Sequence, residues 1–209
     1  MISQDEYPRK ATQDVRGAMA TTLANYISGL EFDPGDGSPQ YRFAEVFDDW
    51  PSFLDRIVMP SACVLPNSWQ YGAALLTPVL IEDTWFPQHE PGWGLWKTSE
   101  AEVDFELSLR TSNVSERHRL LLGIEAAFQD TRREANRIVL DMPSYYGLPV
   151  RYSLRAARLI DAEDPAMREQ RDAILTISAQ ADAVALRPVF PLSITIKKVS
   201  LDVTPPTIS

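Results

Sequence analysis

The 209-residue chain is short of nearly every residue type from which a catalytic or redox centre is usually assembled. It has one cysteine, Cys63, so an intrachain disulfide and any paired-thiol motif are excluded. Cys63 stands between Ala62 and Val64 and reads as a core residue. Two histidines, His89 and His118, are too few and too far apart for a zinc-finger or HExxH pattern, so no metal site is expected. His118 falls on the polar side of a helical segment, and His89 sits beside Glu90 in a Trp-rich stretch. There is no Gly-rich phosphate loop, no GxSxG elbow and no Cys–His pairing. Asp33 and Asp36 in "DPGDGS" start like a calcium loop, but the closing glutamate is missing and the stretch reads as a turn. With no catalytic group, metal or cofactor site indicated, an enzyme is not the expectation.

Long hydrophobic runs are also missing. No segment has the length of a transmembrane helix, and "MISQDEYPRK" at the start lacks the apolar stretch of a secretion signal. The expectation is a soluble protein of a reducing compartment, with no membrane partner. Basic charge is scarce as well: the net charge is −9, and only 4 of the 20 basic residues are lysine. A general nucleic-acid binder would need a basic footprint. The arginines have planar forks suited to fixed pairing with carboxylates at interfaces.

What the chain has in excess is proline, 16 residues, which at about 8% against a usual 5% implies short elements and stiff loops. Charge is also asymmetric. Residues 1–110 hold 17 acids and 7 bases, whereas 111–209 hold 12 acids and 13 bases. Such halves suit two faces with different partners. The length fits one α+β domain over 1–209 with a sizeable core.

The periodicities place the elements. Val15, Ala18, Met19, Thr22, Leu23, Tyr26, Ile27 and Leu30 make an amphipathic helix from about Thr12, its cap, to Leu30. Short strands are expected at Phe43–Phe47 and Val79–Trp85, with one or two helical turns in "DDWPSFLDRI" between them. Pro60–Pro78 alternates short apolar pieces with Pro and Asn breakers. The Pro/Trp-rich stretch at about 86–97 has neither period and reads as an ordered loop or a docking surface, with Trp93 and Trp96 as core packing or as an intersubunit anchor.

Then Val103, Phe105, Leu107 and Leu109 alternate with Glu102, Asp104, Glu106 and Ser108, a strand with one buried face. It runs straight into a helix with apolar Leu120, Leu121, Ile124, Ala127 and Phe128, started by Asn113 with Glu116 three residues on. Ile138–Met142 reads as a strand closed by "PSYYGLP". A long hairpin follows. Val150, Tyr152, Leu154 and Ala156 alternate with Arg151, Ser153 and Arg155, a bulge is expected around Arg158–Ile160, and the return strand covers about Arg171–Ala181. Ala179–Leu186 fits helix or strand. Ser193–Val203 is β-rich, and 204–209 reads as a flexible tail. Both helices should pack on one face of the sheet.

Two charged groups stand out. Glu102, Asp104 and Glu106 share a strand face, which suits a solvated or interface surface, a surface that must not hold an anionic ligand, or an acid–base pair. Arg151, Arg155 and Arg158 suit a solvated strand face or an interface with carboxylates opposite.

This order of elements resembles the neck proteins of tailed bacteriophages, closest to the tail terminator class, also called tail completion or collar proteins. The likeness rests on "SERHRLLLGIEAAF", Ser115–Phe128, then on the Val150–Ala181 hairpin. It covers residues 100–185 and the N-terminal helix by position. This chain is longer than the smaller terminators, and its Pro- and Trp-rich middle has no counterpart there. The resemblance implies a virion structural protein made in the host cytoplasm. It would form a ring, commonly a hexamer, that ends the tail tube and joins it to the head, with other neck and tail proteins as partners. DNA would pass through without specific binding, and Glu102, Asp104 and Glu106 would face the channel. A head–tail connector or stopper is the nearest alternative. A small intracellular enzyme with a site near Trp93 and Trp96 is the alternative of another class.

Overall fold

The computed structural model describes residues 14–33, 41–48, 57–75, 79–81, 93–129, 137–161 and 171–188. The chain forms helix α1 (Val15–Ser28), strands β1 (Glu45–Phe47), β2 (Ser61–Tyr71), β3 (Val79–Leu80) and β4 (Trp93–Thr111), helix α2 (Val114–Gln129), and strands β5 (Arg137–Met142), β6 (Leu148–Asp161) and β7 (Arg171–Pro188). The seven strands make one sheet in the order β1-β2-β4-β7-β6-β5, with β3 beside the start of β4. Only β1 and β2 run parallel; every other pair is antiparallel.

This order answers why the acidic strand β4 leads straight into a helix. The next strand, β5, lies at the far edge of the sheet, beyond β7 and β6. The chain must therefore cross the sheet face, and α2 makes that crossing over the apolar side of the strands it passes. The meander β5-β6-β7 then returns step by step until β7 pairs with β4. Asn113 caps α2, its Oδ1 accepting from the Glu116 N–H at 2.8 Å. The Glu116 carboxylate reaches back one residue further than the reciprocal pattern requires, accepting from the N–H and the hydroxyl of Ser112, both at 2.9 Å.

Alternation decides which side of the sheet is dry. Val103, Phe105, Leu107 and Leu109 of β4 are buried, as are Ala173, Leu175, Ile177 and Ala179 of β7, Val150 and Tyr152 of β6, and Ala62 and Val64 of β2. These side chains join Leu120, Ile124 and Phe128 of α2 and Met19, Leu23 and Ile27 of α1 in one core. α1 is more enclosed than an amphipathic stripe predicts, since Ala20 and Ala24 are buried too. The cause is curvature: α1 touches both edge strands, β1 and β5, which a flat sheet does not permit. The sheet is a half-barrel closed around its helices. The rings of Tyr26 and Phe128 meet edge to face at 6.4 Å, tying α1 to α2. The buried Tyr152 hydroxyl donates to the Met19 carbonyl at 2.7 Å and ties α1 to β6.

Several expectations are corrected. α1 begins at Val15, capped by Asp14 rather than Thr12. Burial pushes the Asp14 carboxyl up, but hydrogen bonds from the Arg16 side chain and backbone outweigh it and hold the group below its ordinary value. Residues 61–71, read as broken by Pro and Asn, form the eleven-residue β2. Pro66 and Asn67 sit in a register shift that absorbs the missing donor. The stretch expected to be a loop to about 97 is strand from Trp93 onward, held by β7 on one side and β3 on the other. Ala179–Leu186 is strand throughout. The β6 irregularity lies between Leu154 and Ala156, not at Arg158–Ile160. His89, Asp36, residues 82–92, the connection 162–170, the stretch Ser193–Val203 and the tail 204–209 lie outside the described residues.

At the turn 143–147, the left-handed backbone of Tyr146 (φ 58°) and Gly147 (φ 68°) turns the chain back into β6. That turn delivers Tyr145, fully buried, to a gap in the ladder. Pairing of β6 with β7 stops at Val150 and Ala181, so Val184 has no strand on that side. Its N–H donates instead to the Tyr145 hydroxyl at 3.0 Å.

A glycine in α2 sets another limit on packing. A Cβ at Gly123 would overlap the ring of Phe32, itself buried against Phe43. Gly17 on the exposed side of α1 has only ordinary contacts waiting for a methyl group. Gly123→Ala is expected to lower stability by about 1–3 kcal/mol through overpacking. Gly17→Ala is expected to raise it by up to about 1 kcal/mol, since alanine favours helix. Paired urea titrations check the opposite signs, and equal shifts would reject the packing of Phe32 on α2.

Candidate interaction face

The side of the sheet away from the helices carries the charged groups singled out above. Glu102, Asp104 and Glu106 project from β4 and are half-exposed. Each is flanked across the strands by neutral polar or apolar residues rather than by a base. Glu102 lies between Gln70 of β2 and Gln180 of β7, Asp104 between Ser68 and Ser178, and Glu106 between Leu65 and Thr176. Gln70 Nε2 donates to Glu102 Oε2 at 2.8 Å, and Ser68 Oγ donates to Asp104 Oδ2 at 3.0 Å. Ser178 Oγ and Gln180 Nε2 each stand 3.5 Å from the other Glu102 oxygen. These contacts orient Glu102 and Asp104 and bring no positive charge to them.

At one end of the stripe a single lysine bridges two carboxylates. Lys97 Nζ lies 2.6 Å from Asp182 Oδ1 and 3.0 Å from Glu100 Oε1. The Asp182 carboxylate, helped by Glu100, holds the Lys97 ammonium above its usual range against the opposing effect of burial. Past Lys97, among the described residues, no ion pair reaches Glu102, Asp104 or Glu106.

Arg151, Arg155 and Arg158 lie on the same side of the sheet region, and all three are exposed. The bulge is what permits this. Before it, the even residues Val150, Tyr152 and Leu154 face the core; after it, Ala157 and Leu159 pair with the inward positions Leu175 and Ala173. Arg151 pairs with Gln180 and Arg158 with Ile174, both outward positions, while Arg155 is the extra residue of the bulge. In a regular strand Arg158 would share the inward parity of Val150 and Tyr152.

The register therefore aligns two stripes. One cross-strand row reads Gln70, Glu102, Gln180, Arg151, and the next reads Ser68, Asp104, Ser178, Ser153. The carboxylates of β4 and the arginines of β6 run side by side with β7 between them, two strand spacings or about 10 Å apart. Across that distance in water a single charge pair is worth only about 0.4 kcal/mol, so the stripes do not satisfy each other. Among the described residues none of the three arginines has an ion-pair or hydrogen-bond partner.

Of the other residues picked from the sequence, Trp96 lies in β4 opposite Ala185 and Leu80, and Trp93 begins that strand. His118 is exposed on α2, and Cys63 is buried in β2. Among the described residues no group of His, Cys, Asp or Glu is placed to hold a metal ion, and no helix is long and apolar enough to cross a membrane. An open groove of about 750 Å³ lies between the end of α1 and α2, with Glu31, Asp33, Tyr41 and Arg119 among its walls. The Arg119 guanidinium donates to the Tyr41 hydroxyl at 2.9 Å and lies over that ring at 5.1 Å.

Sequence reasoning found both stripes but missed the neutral residues that separate them. The β7 pattern Thr176, Ser178, Gln180 was the available signal; Ser68 and Gln70 were hidden by the prolyl break in β2. No protein-family model matches the chain, and no curated protein sequence matches it.

Proposed function

We propose that this chain is a structural protein of the neck of a tailed bacteriophage, a tail terminator that assembles into a ring and joins the tail tube to the head. What supports the reading is the order of elements: a helix held by the sheet, the strand-to-helix passage of β4 into α2, and the long β6 and β7 pair beside it. In this reading the β6 and β7 pair lies at the contact between neighbouring subunits. The work done is assembly, with no turnover and no cofactor. DNA passes through the ring unbound, and neighbouring neck and tail proteins bind its two ends. A connector or stopper position in the same neck shares every one of these features.

In such a ring the half-exposed carboxylate stripe has two settings, a lumen or a contact between copies. A lumen would keep DNA moving, since fixed negative charge disfavours phosphate in a confined space. At about 0.15 M salt that field extends some 8 Å, so it acts only in a narrow passage.

Electron microscopy of the purified full chain, alone and mixed with tail tubes, tests the proposal. Closed rings, or monomers that cap tube ends, are expected. A chain that stays monomeric at all concentrations and leaves tube ends bare would sink it. An enzyme remains the reading of another class, and the observation on its side is the groove beside Arg119. Saturable binding of a small anion there, in a chain that forms no assembly, would turn the argument to it.

A further inference from the structure

Among the described residues, three carboxylates and three guanidiniums on one sheet face make no ion pair; they stand in parallel stripes about 10 Å apart with the neutral Gln180, Ser178 and Thr176 of β7 between them. Arginine forks seldom stay unpaired where carboxylates can be reached, because the bidentate pair is among the stronger polar contacts. Within one copy the register keeps them apart. Between two copies it brings them together. A two-fold axis running along β7, between two facing sheets, sets β4 of each copy opposite β6 of the other. Every carboxylate stripe then meets an arginine stripe, and both contacts form at once.

We propose that this face binds the same face of a second copy, the Glu102, Asp104 and Glu106 stripe of each receiving Arg151, Arg155 and Arg158 of the other. The arrangement is self-complementary, as a two-fold contact requires. Like charges meet in any pairing of these faces shifted by two strands, so the same stripes reject wrong registers. The outer side of the half-barrel is convex, so the contact is confined to β7 and the flanking β4 and β6; at about 4.8 Å spacing over about eight rows it covers roughly 400 Å² per copy, the size of a weak, salt-sensitive contact. The small residues Ser178 and Thr176 of β7 lie along the axis; Ser178 is already buried between its neighbours, so only short side chains stand between the two sheets. The pairing stands apart from the neck reading. It makes an even-numbered assembly whether or not a ring also forms through other surfaces.

A charge-swap experiment decides. One variant carries Glu102→Lys, Asp104→Lys and Glu106→Lys; a second carries Arg151→Glu, Arg155→Glu and Arg158→Glu. Sedimentation velocity of the full chain should show wild-type self-association that weakens with salt. Each variant alone should associate at least about tenfold more weakly, since its faces now repel. Mixing the two variants should restore a one-to-one pair, because a wholly basic face then meets a wholly acidic one. Circular dichroism establishes that both variants fold; were either to misfold, Glu→Gln and Arg→Gln sets take their place, and loss of the salt dependence becomes the readout. Failure of the mixture to recover affinity, or a wild type that stays monomeric, overturns the proposal. A monomeric wild type whose carboxylate-reversed form gains affinity for DNA would assign the stripe to a lumen instead. Rings that persist in both variants would leave the neck reading standing and remove this contact.

Discussion

Ile124→Asp is expected to leave the chain without a cooperative thermal transition. Ile124 lies at the middle of the buried side of α2 with no exposed surface, between Leu120 and Phe128, where the helix crosses the sheet. The substitution removes packing worth about 2–5 kcal/mol and installs a carboxylate among the apolar side chains of the core. A buried unpaired charge costs several kcal/mol more. Together these approach the whole stability of a domain this size, about 5–15 kcal/mol. Leu122→Asp is the internal control: two residues away on the same helix, Leu122 is 64% exposed, and its change should fall within about 0.5 kcal/mol. Thermal melts followed by circular dichroism compare the two. An Ile124→Asp chain that melts like wild type would mean that α2 does not lie on this sheet.

The second large effect concerns assembly. In the proposed phage setting, particles made with Arg151→Glu, Arg155→Glu and Arg158→Glu should lack the protein, and infectivity should fall to background. The three side chains are exposed and hold no core contact, so stability should change by no more than about 0.5 kcal/mol for each. What changes is the sign of a stripe that must meet carboxylates. Adding the three carboxylate-to-lysine changes to the same chain should rescue incorporation, because the swapped stripes are again complementary between copies. Quantitative mass spectrometry of purified particles reads both arms. Normal incorporation of the arginine-reversed chain would take β6 out of any contact. Rescue failure with a folded six-fold variant would mean that the arginines meet another virion protein rather than a second copy.

Where the chain follows a single local period, its structure was legible. β4, α2, β5 and the beginnings of β6 and β7 show clear alternation or a helical stripe, because each buries one side against a common core. Legibility failed where two effects overlapped. In β2 the shift around Pro66 and Asn67 interrupts alternation at the point where a strand accommodates proline, so a paired strand looked like a series of breaks. The start of β4 contains Gly94 and two tryptophans and shows no period; long-range pairing with β7 makes it a strand regardless of local propensity. In β6 the bulge falls beside Ala156 and Ala157, whose small side chains give no sign of which way they face. Each charged stripe was visible by itself. Their placement on one surface was not, since it depends on β7 lying between β4 and β6, a fact of strand order that no local pattern encodes.

The β4 and β7 pair bears on how this molecule would carry load. Of the nineteen residues of β4, all but Thr98 pair with the eighteen of β7, a ladder about 60 Å long at the rise of an extended chain. Its hydrogen bonds lie across the strands. Tension applied along the strands from opposite ends therefore stresses the rungs together, in shear, whereas a pull at one end would open them one after another. The helices rest on one surface of this beam, the carboxylate stripe lies on the other, and the arginine stripe on the adjoining β6. A subunit gripped through those stripes would transmit axial force through its longest ladder, leaving the edge strands β1 and β5 outside the load path.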